Sequence, residues 1–322
     1  MMSTPTFPVA PLDDRPERFR QALIDLESGD VTATAVEALS DLDRTERKAF
    51  AAIWAEMTDD RRESVVRWVH QLAEDRVELT FGRVLRLALT DPSATVRQMA
   101  LGSLWEDAGV DLVDPLLTIV RDDDSQDVRA EAAALLGRFI DRLVIDPDIA
   151  IDPIVVRETL AGVVTEVTEP PLVRRRALEA MCGFGADDEI ADLIDEFYNE
   201  GDSALVAGAI RSMGRTLSTR YLPTVLVEIA SEDAEYRYEA ALAAGEIGDE
   251  RAIPEVISLL EDDDVEVRAA AVTALGRIGG PNVAHALELA LSRAESDDER
   301  DALATALEEA MLTVDPLEIG PA

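Results

Sequence analysis

One cysteine, Cys182, occurs in the 322 residues, so the chain has no internal disulfide open to it, which fits a reducing compartment. There are two histidines, His70 and His285, too few and too far apart to join that thiol in a zinc site. Lysine is nearly missing: of 30 basic residues only Lys48 is not arginine. Aromatic residues make up 4% against 47% hydrophobic, so Ala, Leu and Val must fill the interior, as they do between closely packed helices. No apolar run approaches the roughly 18 residues of a membrane-spanning helix, and none is expected. Nothing reads as a strand, so no Gly-rich phosphate loop has a strand to follow.

Acid is what the chain has in excess. Asp and Glu number 67 against 30 basic residues, a net charge of −37. Such a chain repels itself at low salt. At molar salt the screening length falls to about 3 Å and the repulsion is damped. With so little lysine, the composition resembles the salt-adapted proteome of an extreme halophile, archaeal in kind. The competing reading is an acidic surface that binds a basic, histone-like partner. Acids spread along the whole chain rather than gathered in a tail weigh against it.

The strongest order is a repeat. A hydrophobe-Arg-x-x-Ala phrase recurs at Val96-Arg97-Gln98-Met99-Ala100, Val128-Arg129-Ala130-Glu131-Ala132, Val173-Arg174-Arg175-Arg176-Ala177, Tyr236-Arg237-Tyr238-Glu239-Ala240 and Val267-Arg268-Ala269-Ala270-Ala271. Arg97 to Arg129 is 32 residues, Arg237 to Arg268 is 31 and Arg268 to Arg300 is 32. Arg174 to Arg237 is two periods, with Val206 where the middle arginine belongs. Eight residues after the marker a glycine returns, at Gly137, Gly214, Gly245 and Gly276, and Cys182 takes that place in a third unit. A fixed period of this size means one supersecondary unit stacked on its copies.

Within the period the spacing predicts two helices. Ile253, Val256, Ile257, Leu259 and Leu260 form one apolar stripe, with Pro254 tolerated in the first turn. Asp262-Asp263-Asp264 ends it and offers caps to a second helix carrying Val265, Val267, Ala271, Val272, Leu275 and Ile278. Residues 252–279 thereby resemble a HEAT repeat, more narrowly the short units of the phycobilisome-lyase-like HEAT family, over about 79–312. The resemblance implies an all-α, right-handed solenoid (an α-α superhelix) of HEAT-type helix pairs. It also implies a ladder between turn Asp and second-helix Arg, on Asp264 with Arg268 and Asp233 with Arg237, more loosely on Asp91 with Arg97 and Asp124 with Arg129.

The expected organisation is a tail over 1–14, a helical cap of two degenerate pairs over 15–78, seven repeats over 79–312 and a tail over 313–322. The first tail has no positive cluster or apolar core and does not read as a signal peptide. The cap holds Phe50, Ile53 and Trp54, then Val65, Val66, Trp68, Val69 and Leu72, at helical core spacing rather than as an aromatic ligand pocket. Arg129 to Arg174 is 45 residues, so an insertion falls near 141–151, and Pro147 and Pro153 give it loop character.

Catalytic chemistry finds few residues to use. HEAT-type deoxyhypusine hydroxylases hold di-iron on His-Glu pairs, but here the pairs are His70-Gln71 and His285-Ala286. A HEAT-like DNA glycosylase needs a basic groove, which the overall charge opposes. No catalytic residue, metal or cofactor is expected, and no enzyme activity.

One basic cluster departs from the acid background. Residues 172–185 carry Arg174, Arg175 and Arg176, and residues 203–220 carry Arg211, Arg215 and Arg220, while 187–200 between them has seven acids and no base. Arg138, Arg215 and Arg277 share the position nine after the marker. Either these arginines pair with neighbouring acids, or Arg138, Arg175, Arg176, Arg211, Arg215 and Arg277 form a basic patch for an acidic helix, tail or phosphorylated segment. The expected role is a cytoplasmic, monomeric scaffold or adaptor for a protein partner whose identity the sequence does not give. An accessory subunit of an enzyme complex and a nucleic-acid binder using the central arginines are the alternatives.

Overall fold

The computed structural model describes residues 14–105, 107–294 and 296–312, and every regular element among them is an α-helix or a short 3-10 turn. The chain divides into two compact units, Met1–Gly109 and Val110–Ala322. The expected tails lie outside the described residues apart from Asp14.

The first unit holds α1 (Arg15–Ser28), α2 (Ala33–Glu37), α3 (Arg44–Glu56), α4 (Asp59–Asp75), α5 (Gly82–Ala88) and α6 (Ala94–Ser103). They form two rows, with α1 on α3 and α3 on α5, and with α2 on α4 and α4 on α6. Asp43 starts α3 through a capping box: its carboxylate accepts from the amides of Thr45 and Glu46, and Glu46 accepts from the amide of Asp43. Phe50, Val65, Val66 and Val69 are fully buried, and Phe50 and Trp54 pack with ring centres 5.6 Å apart. Residues 79–105, read from sequence as the first repeat, fall in this unit.

The second unit is six helix pairs. They are α7 (Val113–Asp122) with α8 (Gln126–Ile145), α9 (Pro153–Thr165) with α10 (Pro171–Met181), and α11 (Asp188–Glu200) with α12 (Ser203–Arg215). Then come α13 (Leu222–Glu228) with α14 (Ala234–Ile247), α15 (Ile253–Ser258) with α16 (Val265–Ile278), and α17 (Pro281–Leu291) with α18 (Asp297–Leu312). Within the unit the second helices form one continuous row, α8 on α10, α12, α14, α16 and α18 in turn. Each pair alone would leave apolar surface open on two sides, and stacking buries it. Acids of the turns start the helices: Asp152, Asp187, Asp202, Asp233 and Asp264 each accept from first-turn amides.

The insertion is not all loop. Helix α8 runs 20 residues to Ile145, so 141–145 is helical. Phe139, Ile140 and Leu143 continue its buried stripe, and the chain leaves the helix just ahead of Pro147.

Candidate functional site

Five marker arginines share a local job, while Arg174 donates instead to the carbonyl of Val164, ten residues back, at 2.9 Å. The guanidinium reaches back six residues and donates to a backbone carbonyl at the preceding turn: Arg97 to Asp91 at 2.8 Å, Arg129 to Asp123 at 2.7 Å, Arg237 to Ser231 at 3.0 Å, Arg268 to Asp262 at 2.6 Å and Arg300 to Ala294 at 2.9 Å. Carbonyls at helix ends have no partner of their own, and these donors satisfy them. Three markers also reach an acid of the next pair: Arg129 to Glu169 at 3.0 Å, Arg174 to Glu200 at 3.0 Å, and Arg237 to both oxygens of Asp262 at 2.7 and 2.8 Å.

This corrects the ladder read from the sequence. Asp233 and Asp264 are spent on helix caps, and the acid facing Arg237 stands two residues ahead of the cap, in the following turn. In the first unit the Asp91 carboxylate serves Arg62 at 2.9 Å and the Trp54 indole N–H at 2.8 Å, not Arg97, which takes the carbonyl. Arg62 is thus a ladder arginine that the sequence did not reveal, because Arg61 and Val65 stand where the phrase has its hydrophobe and its Ala.

Second helices stack closely enough to need glycine. A Cβ on Gly245 would lie 2.6 Å from the Ala274 Cα, and Gly214 meets Ala243 in the same way. The close approach also lets two arginines bridge past an intervening helix. Arg175 of α10 passes over Gly208 of α12 to reach Glu235 at 2.7 Å and Glu239 on α14, while its Nε donates to Glu179 at 2.8 Å. Arg215 of α12 runs beside Gly137, its terminal nitrogen 4.0 Å from where a Cβ would stand, to reach Asp141 on the extra turn of α8 at 3.1 Å.

Four of the six singled-out arginines come together. Arg138, Arg176, Arg211 and Arg215 line one cleft of about 210 Å³ with the carboxylates of Asp141 and Glu179. Its remaining wall is Ala134, Gly137 and Ala180, small residues that leave the charged groups uncovered. Arg176 pairs with Glu179 at 2.7 Å and Arg211 with Glu246 at 2.8 Å. Arg175 lies beneath, 7% exposed, and does not line the cleft. Arg277 stands apart, half-exposed, 3.6 Å from Glu246. Arg220 leaves the group because α12 ends at Arg215; it sits over the Tyr221 ring, 3.6 Å from Asp195.

The column nine places after the marker is therefore not one of arginine alone. In the units of Arg237 and Arg300 the same place holds Glu246 and Glu309, so Arg215, Glu246, Arg277 and Glu309 alternate in sign. That alternation is visible in the sequence once the acids are placed in register beside the arginines. Glu179, Glu235 and Glu239 carry no such signal, being acids in an acidic chain.

Burial sets the unusual titrations. It pushes Glu239 up to about 7, against the opposing pull of Arg175. The same cause pushes the Cys182 thiol up to about 12, an inert packed group. His70 lies near Ser103 and Glu74 on the surface of the first unit, and His285 is exposed on α17. Among the described residues no three His, Cys, Asp or Glu side chains gather as a metal site, and no helix is long and apolar enough to cross a membrane.

Residues 222–308 match the HEAT-repeat family model. No curated relative matches the chain. Among solved structures the complex of CpcE and CpcF of phycocyanin lyase from Nostoc sp. is similar at a TM-score of 0.53 and 17% identity, over 96% of this chain and 100% of that one. Yeast importin-beta (Kap95p) is similar at 0.51 and 12% identity, over 94% of this chain and 47% of its own. Together with the helix rows, these likenesses make the fold an all-α solenoid with HEAT repeats in its C-terminal part.

Proposed function

We propose that the chain is a non-catalytic adaptor that holds a protein partner on the second-helix face of its C-terminal unit, with the arginine cleft as anchor. The observation that carries this reading is the cleft itself: four arginines from three successive second helices gathered at one place, in a chain of net charge −37. Guanidiniums gathered on a rigid surface can turn their forks to an acidic segment and orient it. The row of second helices is held by arginine forks and glycine contacts before any partner arrives, so binding carries little ordering cost. In this reading the protein is a monomer without cofactor, working in the cytoplasm of a salt-adapted cell. Nucleic acid is the poorer partner, since net negative charge repels phosphate backbones away from the cleft. An accessory role in an enzyme complex is the second reading, supported by the fold likeness to the two-protein CpcE–CpcF assembly.

The test is crosslinking of the tagged full chain in its own cell extract, followed by mass spectrometry. The comparison is the Arg138→Gln, Arg176→Gln double variant. Both side chains reach solvent, so the variant keeps the Arg175 bridge beneath. Loss of the captured proteins with unchanged melting supports the cleft; identical capture by both chains removes it.

A further inference from the structure

We infer that the arginine cleft is a receptor for a phosphoryl group carried on a side chain of the partner. The inference rests on the adaptor reading and specifies what enters the cleft.

Size comes first. At about 210 Å³ the cleft itself is on the scale of a side-chain head group rather than of a whole helix. Competition comes next. Asp141, Glu179 and Glu246 already give Arg215, Arg176 and Arg211 carboxylate partners at 3.1, 2.7 and 2.8 Å. A carboxylate from a partner would exchange one such contact for an equivalent one and gain little. A phosphoryl group brings about twice the charge and three acceptor oxygens, enough to bridge several guanidiniums at once.

The donors suit that geometry. All four cations are guanidiniums, whose planar forks match phosphoryl oxygens in pairs, and they come from three successive second helices, α8, α10 and α12. Small residues at Ala134, Gly137 and Ala180 keep the approach open.

The test is a 31P NMR titration of O-phosphoserine with the full chain at neutral pH, against inorganic phosphate and with N-acetylglutamate as competitor. The expected result is saturable broadening by the wild type. Binding weakens by about tenfold or more in Arg138→Gln, Arg176→Gln and is unchanged in Arg277→Gln, which lies outside the cleft. The proposal fails if O-phosphoserine is not bound or the double variant binds it equally. It also fails if inorganic phosphate binds while O-phosphoserine does not, or if N-acetylglutamate displaces it at equal concentration. The adaptor reading is judged apart, by capture from extract before and after phosphatase treatment. Capture that needs Arg138 and Arg176 yet survives the phosphatase keeps the adaptor and overturns the phosphoryl receptor.

Discussion

The Cγ of Arg175 occupies the space that a Cβ on residue 208 would need, 2.6 Å away. Glycine at 208 and the long reach of Arg175 to Glu235 and Glu239 are therefore one device. Gly208→Ala is expected to cost about 1–3 kcal/mol, the usual penalty of overpacking, seen as a lower urea midpoint. Gly162 in α9 has nothing within 4 Å of its would-be Cβ, so Gly162→Ala should be neutral or stabilising by about 0.5–1 kcal/mol. Equal losses at both sites would contradict the packing account.

Glu239 gives a pH dependence of known sign. Its carboxyl titrates near 7 when folded and near 4.5 when exposed, because burial disfavours its charge. The folded state thus holds that proton longer than the unfolded chain does. The stability it contributes is full below pH 4.5 and is lost as pH rises through 7, a change of about 3 kcal/mol. Glu239→Gln removes the titration, while Glu179 and Glu235 still face Arg175. Denaturant melts from pH 5 to 8 should show the variant gaining on the wild type as pH rises. A constant difference would count against the buried carboxyl.

Arg237 tests the fork. It donates to two carbonyls at the preceding turn and to both oxygens of Asp262. Arg237→Gln is expected to lose about 1–3 kcal/mol, and Arg237→Lys to recover only part of it, since an ammonium keeps the charge but not the planar pair of donors. Full rescue by lysine would reduce the marker to a point charge.

Salt should stabilise the protein as a whole. Individual ion pairs weaken on screening, yet a net charge of −37 means that repulsion is the larger quantity being screened. The melting temperature should climb between 0.1 and 2 M KCl, conditions spanning screening lengths of about 10 to under 3 Å. A flat or falling profile would show that pairing outweighs repulsion.

Fold class was legible because the arginine phrase and the glycine eight residues later act locally, on the preceding turn and on the adjacent helix. What the sequence hid acts at longer range or under disguise. The Arg62–Asp91 pair escaped because its phrase has lost both the leading hydrophobe and the alanine. Asp141 escaped because the segment that carries it read as loop, whereas its buried Leu143 keeps it helical. Glu235 and Glu239 lie 60 and 64 residues beyond Arg175, two units on, and no single-period register brings them together. Of the arginine group the sequence identified the members, and the cleft gathers Arg138, Arg176, Arg211 and Arg215 while leaving Arg175 beneath and Arg277 aside.

Val206 leaves the α11–α12 layer without a marker arginine of its own. What fastens that layer instead belongs partly to others: Arg175 crosses it from α10 to α14, and Arg215 leaves it for α8. Prying this one tier loose by itself would sever struts rooted in the tiers on either side. The middle of the molecule should therefore yield as a single cooperative block spanning α8 to α14, while the pairs beyond α14, which no such two-tier strut crosses among the described residues, are free to fray one at a time.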